Sequence, residues 1–184
     1  MATVPDITAK AVGDDVTAAW ADEIDTAVSF FVANRPILHL VQQSAQTGWT
    51  TTTYTAVTFG TSSETVDRDA AHSTSSNTSR VVIGNTLGWY RVSGIYCSPG
   101  NTNTIAIGAA IYLNGSAVMG SAVRHYQSSS SNTFTAEVPP ILIQATSSSD
   151  YVELMGYQNA SAGTIGTNVS SPMASSLTVE WVGS

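Results

Sequence analysis

The sequence predicts a mainly β protein, a sandwich of two packed sheets of jelly-roll type preceded by one helix, on three observations. About ten short apolar runs follow Pro36, each bounded by Gly, Ser, Asn or Pro clusters and with no helical period between them. Only 10% of the residues are charged, and Ser, Thr and Asn make up much of the polar remainder, which suits exposed sheet and turns better than exposed helix. The one clear 3.6-residue period lies ahead of the strands. So many strands without intervening helices imply two packed sheets. At 184 residues and 42% hydrophobic content the chain can bury one substantial core. The expected division is an N-terminal arm and helix over 1–36 and a β head over 37–184.

The helix comes first. Val16, Ala19, Trp20, Ile24, Ala27, Val28 and Phe31 recur every three or four residues, with Asp22, Glu23 and Asp25 between them. Asp14 or Asp15 is placed to cap its start, and Pro36 forces an end near Asn34. Residues 1–13 show no period and read as an extended arm. The strand runs are 37–43, 54–59, 80–83, 89–97, 104–113, 116–126, 133–138, 141–146, 151–158 and 176–182. Asn114-Gly115 between two of them is the preferred pair for a type I′ hairpin, whose central residues both need positive φ. Residues 61–79 and 161–172 read as long polar loops. In run 151–158, Val152 and Leu154 point one way while Tyr151, Glu153, Met155 and Tyr157 point the other. Both faces carry apolar bulk, and the second needs a cover.

Charge narrows the functional classes. The net charge is −7, and the five arginines and Lys10 are scattered, so the clustered positive charge of a nucleic-acid interface is absent. The first 25 residues hold six acids against one lysine, which marks the N-terminal end as a candidate docking element or a solvated helix face. Cys97 is alone, so no internal disulfide forms, and its apolar strand context makes it a small buried residue. No apolar segment approaches membrane-spanning length, and no basic stretch followed by an apolar run opens the chain. The expectation is synthesis in a cytoplasm without signal-peptide secretion or membrane insertion.

Motifs for catalysis are missing. There is no Gly-rich phosphate loop, nucleophile elbow or H-E-x-x-H. Asp67, Asp69 and His72 are weak candidates for a divalent cation, since carboxylates and imidazole are suitable ligands, but a polar loop that bonds its own backbone is the better explanation of them. Glu153 and Glu180 are the remaining thought for a carboxylate pair. His39 and His125 have no evident partner, and Trp49, Tyr54, Tyr96, Tyr112, Tyr126 and Trp181 serve either packing or sugar stacking, with Trp49 the one expected to be exposed. The reading is non-enzymatic, with no cofactor.

The order of motifs resembles a known superfamily. "G-x-Y-x-V" at Gly88, Tyr90 and Val92, the strand ending in Asn114-Gly115, and "D-Y-V-x-L" at Asp150, Tyr151, Val152 and Leu154 are similar to the globular domain of the C1q and tumour-necrosis-factor superfamily. The likeness is closest to the version found in bacteriophage virion proteins. It covers roughly residues 37–183, and it departs from the pattern at Ser149, where glycine is usual, and near Ile107, where an arginine is common. The segment "VTAAWADEIDTAVSFFVANRP" looks like the short helix that precedes such heads in phage tail and capsid-surface proteins.

The resemblance implies a C1q/TNF-like jelly-roll head and a homotrimer, with Tyr90, Tyr151, Met155 and Tyr157 at the subunit interface. It also implies a place on the virion surface, assembled in the host cytoplasm, with Trp20, Ile24, Val28 and Phe31 docking on phage capsid or tail proteins. Capsid decoration is preferred, because no coiled coil or collagen-like shaft reaches outward. The alternative expectation is a minor tail or receptor-binding protein that recognises host surface glycans.

Overall fold

Strand periodicity and helix periodicity separate at Pro36, and in the computed structural model the helical segment ends before this residue and the first strand begins after it. The structure describes residues 7–9, 17–60, 63–100, 103–126, 133–160, 165–170 and 172–184. Helix α1 spans Ala18–Ser29 and continues as a π-helical turn, Phe30–Asn34, before Pro36 prevents a further turn. Its N-cap is Thr17, whose hydroxyl accepts the Trp20 N–H at 3.2 Å. The expected caps Asp14 and Asp15, and most of the arm, lie outside the described residues.

Eleven strands follow among the described residues: β1 (Ile37–Val41), β2 (Thr55–Ala56), β3 (Glu64–Asp67), β4 (Arg80–Val82), β5 (Gly88–Ser98), β6 (Thr104–Leu113), β7 (Ser116–Ala117), β8 (Val123–Tyr126), β9 (Phe134–Ala145), β10 (Tyr151–Ala160) and β11 (Ser176–Gly183). They form a five-stranded sheet in the order β3-β1-β11-β5-β9 and a six-stranded sheet in which β2 and β4 flank β10, β10 pairs with β6, and β6 carries β7 and β8. Every pairing between these strands is antiparallel.

The hairpin at Asn114-Gly115 forms as the sequence requires, with φ of 51° and 78° at the two residues. Three boundaries differ from expectation. Runs 133–138 and 141–146 are one strand, β9. Pro139 and Pro140 fit inside it because β9 is the sheet edge and its register against β5 slips beside them. Run 116–126 is two strands, because Val118 to Ser121 turns back and the buried Ser121 hydroxyl accepts the Ile111 N–H at 3.1 Å. The polar loop 61–79 contributes β3, an edge strand on β1 whose sequence is too polar to read as one.

The inner faces of the two sheets meet in one core. Leu38, Leu40, Tyr90, Val92, Tyr96, Leu177, Val179 and Trp181 come from the five-stranded sheet, and Ile107, Ile111, Val152 and Leu154 from the six-stranded sheet. Cys97 is fully buried, and burial raises its thiol pKa, so it is an inert packing residue. Among the described residues the helix meets the head at its C-terminal end and the π-helical turn that follows. Ala27 and Phe30 are buried, the Phe30 ring meets Trp181 edge-on at 5.3 Å, and the Trp181 N–H donates to the Pro36 carbonyl at 3.0 Å. At its other end the Thr8 N–H and hydroxyl donate to Glu23, and the Trp20 indole donates to the Thr8 carbonyl, so this piece of the arm lies along the helix.

Candidate functional site

Alternation along β10 places Val152 and Leu154 in the core and turns Tyr151, Glu153, Met155 and Tyr157 outward, as the sequence requires. Opposite Tyr157 stands Gly108 on β6, and a Cβ there would sit 2.7 Å from the Val123 carbonyl and 3.0 Å from Arg124 Cγ. The missing side chain lets Arg124 cross over the strand and lie on the Tyr157 ring, 4.1 Å above its centre. Tyr54 closes the other side at 5.2 Å and itself meets Tyr112 at 6.2 Å. The hydrogen bond with Tyr54 raises the Arg124 pKa, so the cation is secure. Tyr157 is therefore only 6% exposed. Much of the cover that this face needs comes from the chain itself.

Of the four residues expected at a subunit interface, Tyr90 is corrected. It points into the core at 2% exposure, and its hydroxyl donates to the Thr86 carbonyl at 2.7 Å, so it has no surface to offer a partner. Tyr151 and Met155 are half-buried on the outward face, and Tyr126 lies beyond Arg124 with most of its surface exposed. Of the expected docking residues, Trp20 and Ile24 are half-buried, whereas Val28 and Phe31 are exposed beside Val32.

The loop between β3 and β4 is self-supporting. Asp67 accepts the N–H groups of Ala71 and His72 at 2.9 and 3.0 Å. The buried His72 ring places Nδ1 2.7 Å from Glu64 Oε1, and its Nε2 donates to the Thr78 carbonyl at 3.1 Å. Asp69 is tied down by Asn85 and Thr86. The three candidate metal ligands are thus spent on the loop's own backbone and neighbours. Among the described residues no three His, Cys, Asp or Glu side chains are grouped to hold a metal. Glu153 and Glu180 lie on opposite outer faces of the sandwich, Glu153 against Ser79 and Arg80 and Glu180 against Arg35 and Arg91, so they form no catalytic pair. Trp49 is also not a free stacking platform. It is half-buried and stacked on Tyr96 at 5.6 Å, with Gly156 giving both rings room.

What that loop does build is a cleft of about 500 Å³ against β4 and β10. Ser73, Ser76, Asn77 and Ser149 supply polar walls, and His72, Arg80, Val82 and Tyr151 supply the large side chains. The Arg80 guanidinium lies 4.2 Å above the Tyr151 ring, and its Nε stands 3.6 Å from Glu153 Oε1. Two wall residues, Ala70 and Asn77, hold left-handed backbone with φ of 47° and 50°. For alanine this costs about 1 kcal/mol, and the cost is offset by the Asp67 bonds and by the Ala71 carbonyl accepting from Val82. The cleft is missing from a sequence reading because its residues are ordinary serines and an arginine. The one available signal was "DYV" next to a serine-rich turn.

Comparison with known proteins bears on the fold. No protein-family model matches the chain, and no curated protein matches it either. Solved structures do match: crystal structures of murine APRIL at pH 8.0 and pH 8.5 each align with a TM-score of 0.51 and 13% identity, covering 79% of this chain and 98% of that one. The fold is a TNF-like jelly roll. The likeness lies in the backbone, where the two antiparallel sheets carry a sequence different at most positions. The jelly-roll head expected from the motif order is therefore present.

Proposed function

We propose that the chain is a non-enzymatic display protein of a bacteriophage particle, a homotrimer whose N-terminal segment anchors it and whose jelly-roll head faces solvent, with capsid decoration ahead of a tail position. The observation that carries this reading is the apolar strip at the end of α1. Val28, Phe31 and Val32 are 53%, 55% and 74% exposed beside the point where the helix joins the head, which is the arrangement of a segment whose partner surface is elsewhere. Three such segments on one trimer would bind a symmetric surface with avidity far above that of one. The trimer and the phage setting rest on the resemblance of the motifs.

The experiment is to label particles with an antibody against the head and compare wild type with Phe31→Glu/Val32→Glu. Label over the capsid, lost in the double variant while the purified protein melts normally, is the expected result. Label confined to the tail tip overturns decoration. Self-association is tested separately by sedimentation of Met155→Arg/Tyr126→Asp, which spares the buried Tyr157: a trimer that becomes monomeric is expected, and an intact trimer refutes the interface.

A second reading, recognition of host surface glycans, is favoured by the polar cleft beside Tyr151. A glycan array probed with the full chain distinguishes it from pure display.

A further inference from the structure

The cleft between the 70–77 loop and β10 has a charge that runs against the rest of the molecule. The chain carries 13 acids and 6 lysines and arginines, yet none of the residues lining this cleft has a carboxylate and one, Arg80, has a guanidinium. Arg80 pairs with the nearly buried Glu153 through Nε, while neither terminal nitrogen has a hydrogen-bond partner among the described residues. The guanidinium rests over the Tyr151 ring, 4.2 Å from its centre, so the ring and Glu153 limit where the terminal nitrogens can go.

The walls are preorganised as well as polar. Ser76 N–H and hydroxyl both bond to the Ser73 hydroxyl, the Arg80 N–H donates to the Asn77 carbonyl, and Asp67 pins the loop's first turn. A ligand entering here meets groups that are already ordered, which lowers the entropic cost of binding. Ala70 and Asn77, both on the cleft wall, hold left-handed backbone. Hydroxyls, an amide, one guanidinium seated on a tyrosine and that tyrosine itself suit a ligand rich in hydroxyl groups that bears one planar anion.

We propose that this cleft binds saccharides that carry a carboxylate, with Arg80 holding the carboxylate, Ser73, Ser76, Asn77 and Ser149 bonding sugar hydroxyls, and Tyr151 supporting the guanidinium. The proposal rests on the second functional reading and gives it a location and a ligand class. A neutral sugar would leave the fork unused, and the carboxylate is therefore the discriminating group.

The test is an array of matched glycans, each present with its carboxylate free and as the methyl ester, probed with the full chain displayed multivalently. The expected signal on free-acid members is at least about tenfold above their esters, since a fixed bidentate pair is worth that much. Arg80→Ala abolishes the difference, Arg80→Lys retains a smaller part of it because the charge stays and the fork is lost, and Ser76→Trp, an exposed position, blocks binding by filling the cleft. Arg91→Ala on the opposite sheet changes nothing. All variants are checked by thermal melting. Equal signal on acid and ester, or acid-selective binding that survives both Arg80→Ala and Ser76→Trp, overturns the site while leaving glycan recognition standing. No signal on any glycan overturns both.

Discussion

The two outer faces of the sandwich solve the same problem in opposite ways. On the five-stranded sheet the outward charges around β11 are paired and lie beside apolar side chains left open to water, Trp89, Leu142 and Val182: Glu180 accepts from Arg35 at 2.6 Å and from Arg91, and His39 meets Thr178 at 2.9 Å. On the six-stranded sheet the outward positions are aromatic, and the arginines lie on rings, Arg80 on Tyr151 and Arg124 on Tyr157. Strand alternation dictates only that every second residue faces out. What those residues are decides whether water suffices as a cover or whether long side chains must fold back over the sheet. Gly108 is the device that permits the second solution, since any side chain there would occupy the path of Arg124.

The comparison breaks most sharply at Tyr157. Although it points away from the core, it is buried, and Tyr157→Ala should cost about 3 kcal/mol in chemical denaturation, as for a core aromatic. A loss below about 1 kcal/mol would mean that the aromatic face is ordinary surface. Next in size is Asp150, which sets the start of β10: its carboxylate accepts the Thr146 and Ser147 N–H groups at 2.8 and 2.9 Å and the Asn114 amide at 2.8 Å. The Asn114 bond leads in holding its pKa below the ordinary carboxylate value. Because the folded pKa lies below the unfolded one, this contribution is present above about pH 4 and disappears as pH falls through the folded value. Asp150→Asn should cost about 2 kcal/mol at neutral pH and flatten the melting-temperature profile on the acid side of pH 4. An unchanged acid slope would remove Asp150 as its source.

Legibility followed the physics of each element. The alternation of β10 and the Asn114-Gly115 turn depend on neighbours in sequence, so both were readable and both are present. The cover over Tyr157 was not readable. It joins Tyr54, Gly108, Arg124 and Tyr157, which come from β10, β6, β8 and the residue before β2, and no spacing rule connects them. Tyr90 misled for a related reason. In β5, one residue of register decides inward or outward, and the motif alone does not fix it. The cleft at Arg80 has almost no signal in the sequence, because the polar pattern of loop 61–79 implies self-bonded chain, which is true of Asp67 and His72 but says nothing of the space they leave.

The five-stranded face gives the third prediction. Glu180 is partly shielded, with its side chain 16% exposed, but its arginine partners are 38% and 53% exposed, so solvent screens much of the attraction. Glu180→Gln should cost about 1 kcal/mol at low salt, and less as ionic strength rises. A loss that does not respond to salt would indicate that Glu180 acts through packing.

Arg124→Met isolates the remaining difference between the faces. Methionine keeps the length and apolar stem that cover Tyr157 and removes the charge together with its hydrogen bond to Tyr54, so the covering term is retained and the polar terms are lost. Arg124 forms no ion pair among the described residues, in contrast to Arg35, Arg80 and Arg91, so no carboxylate is left stranded by the change. The expected cost is about 0.5 kcal/mol, read from the denaturation midpoint at constant slope. Arg124→Ala should cost more than Arg124→Met, because it also uncovers the ring. If the two variants are equal, the arginine contributes through its charge alone; if Met is as stable as Arg, the cation contributes nothing and the face is held by area.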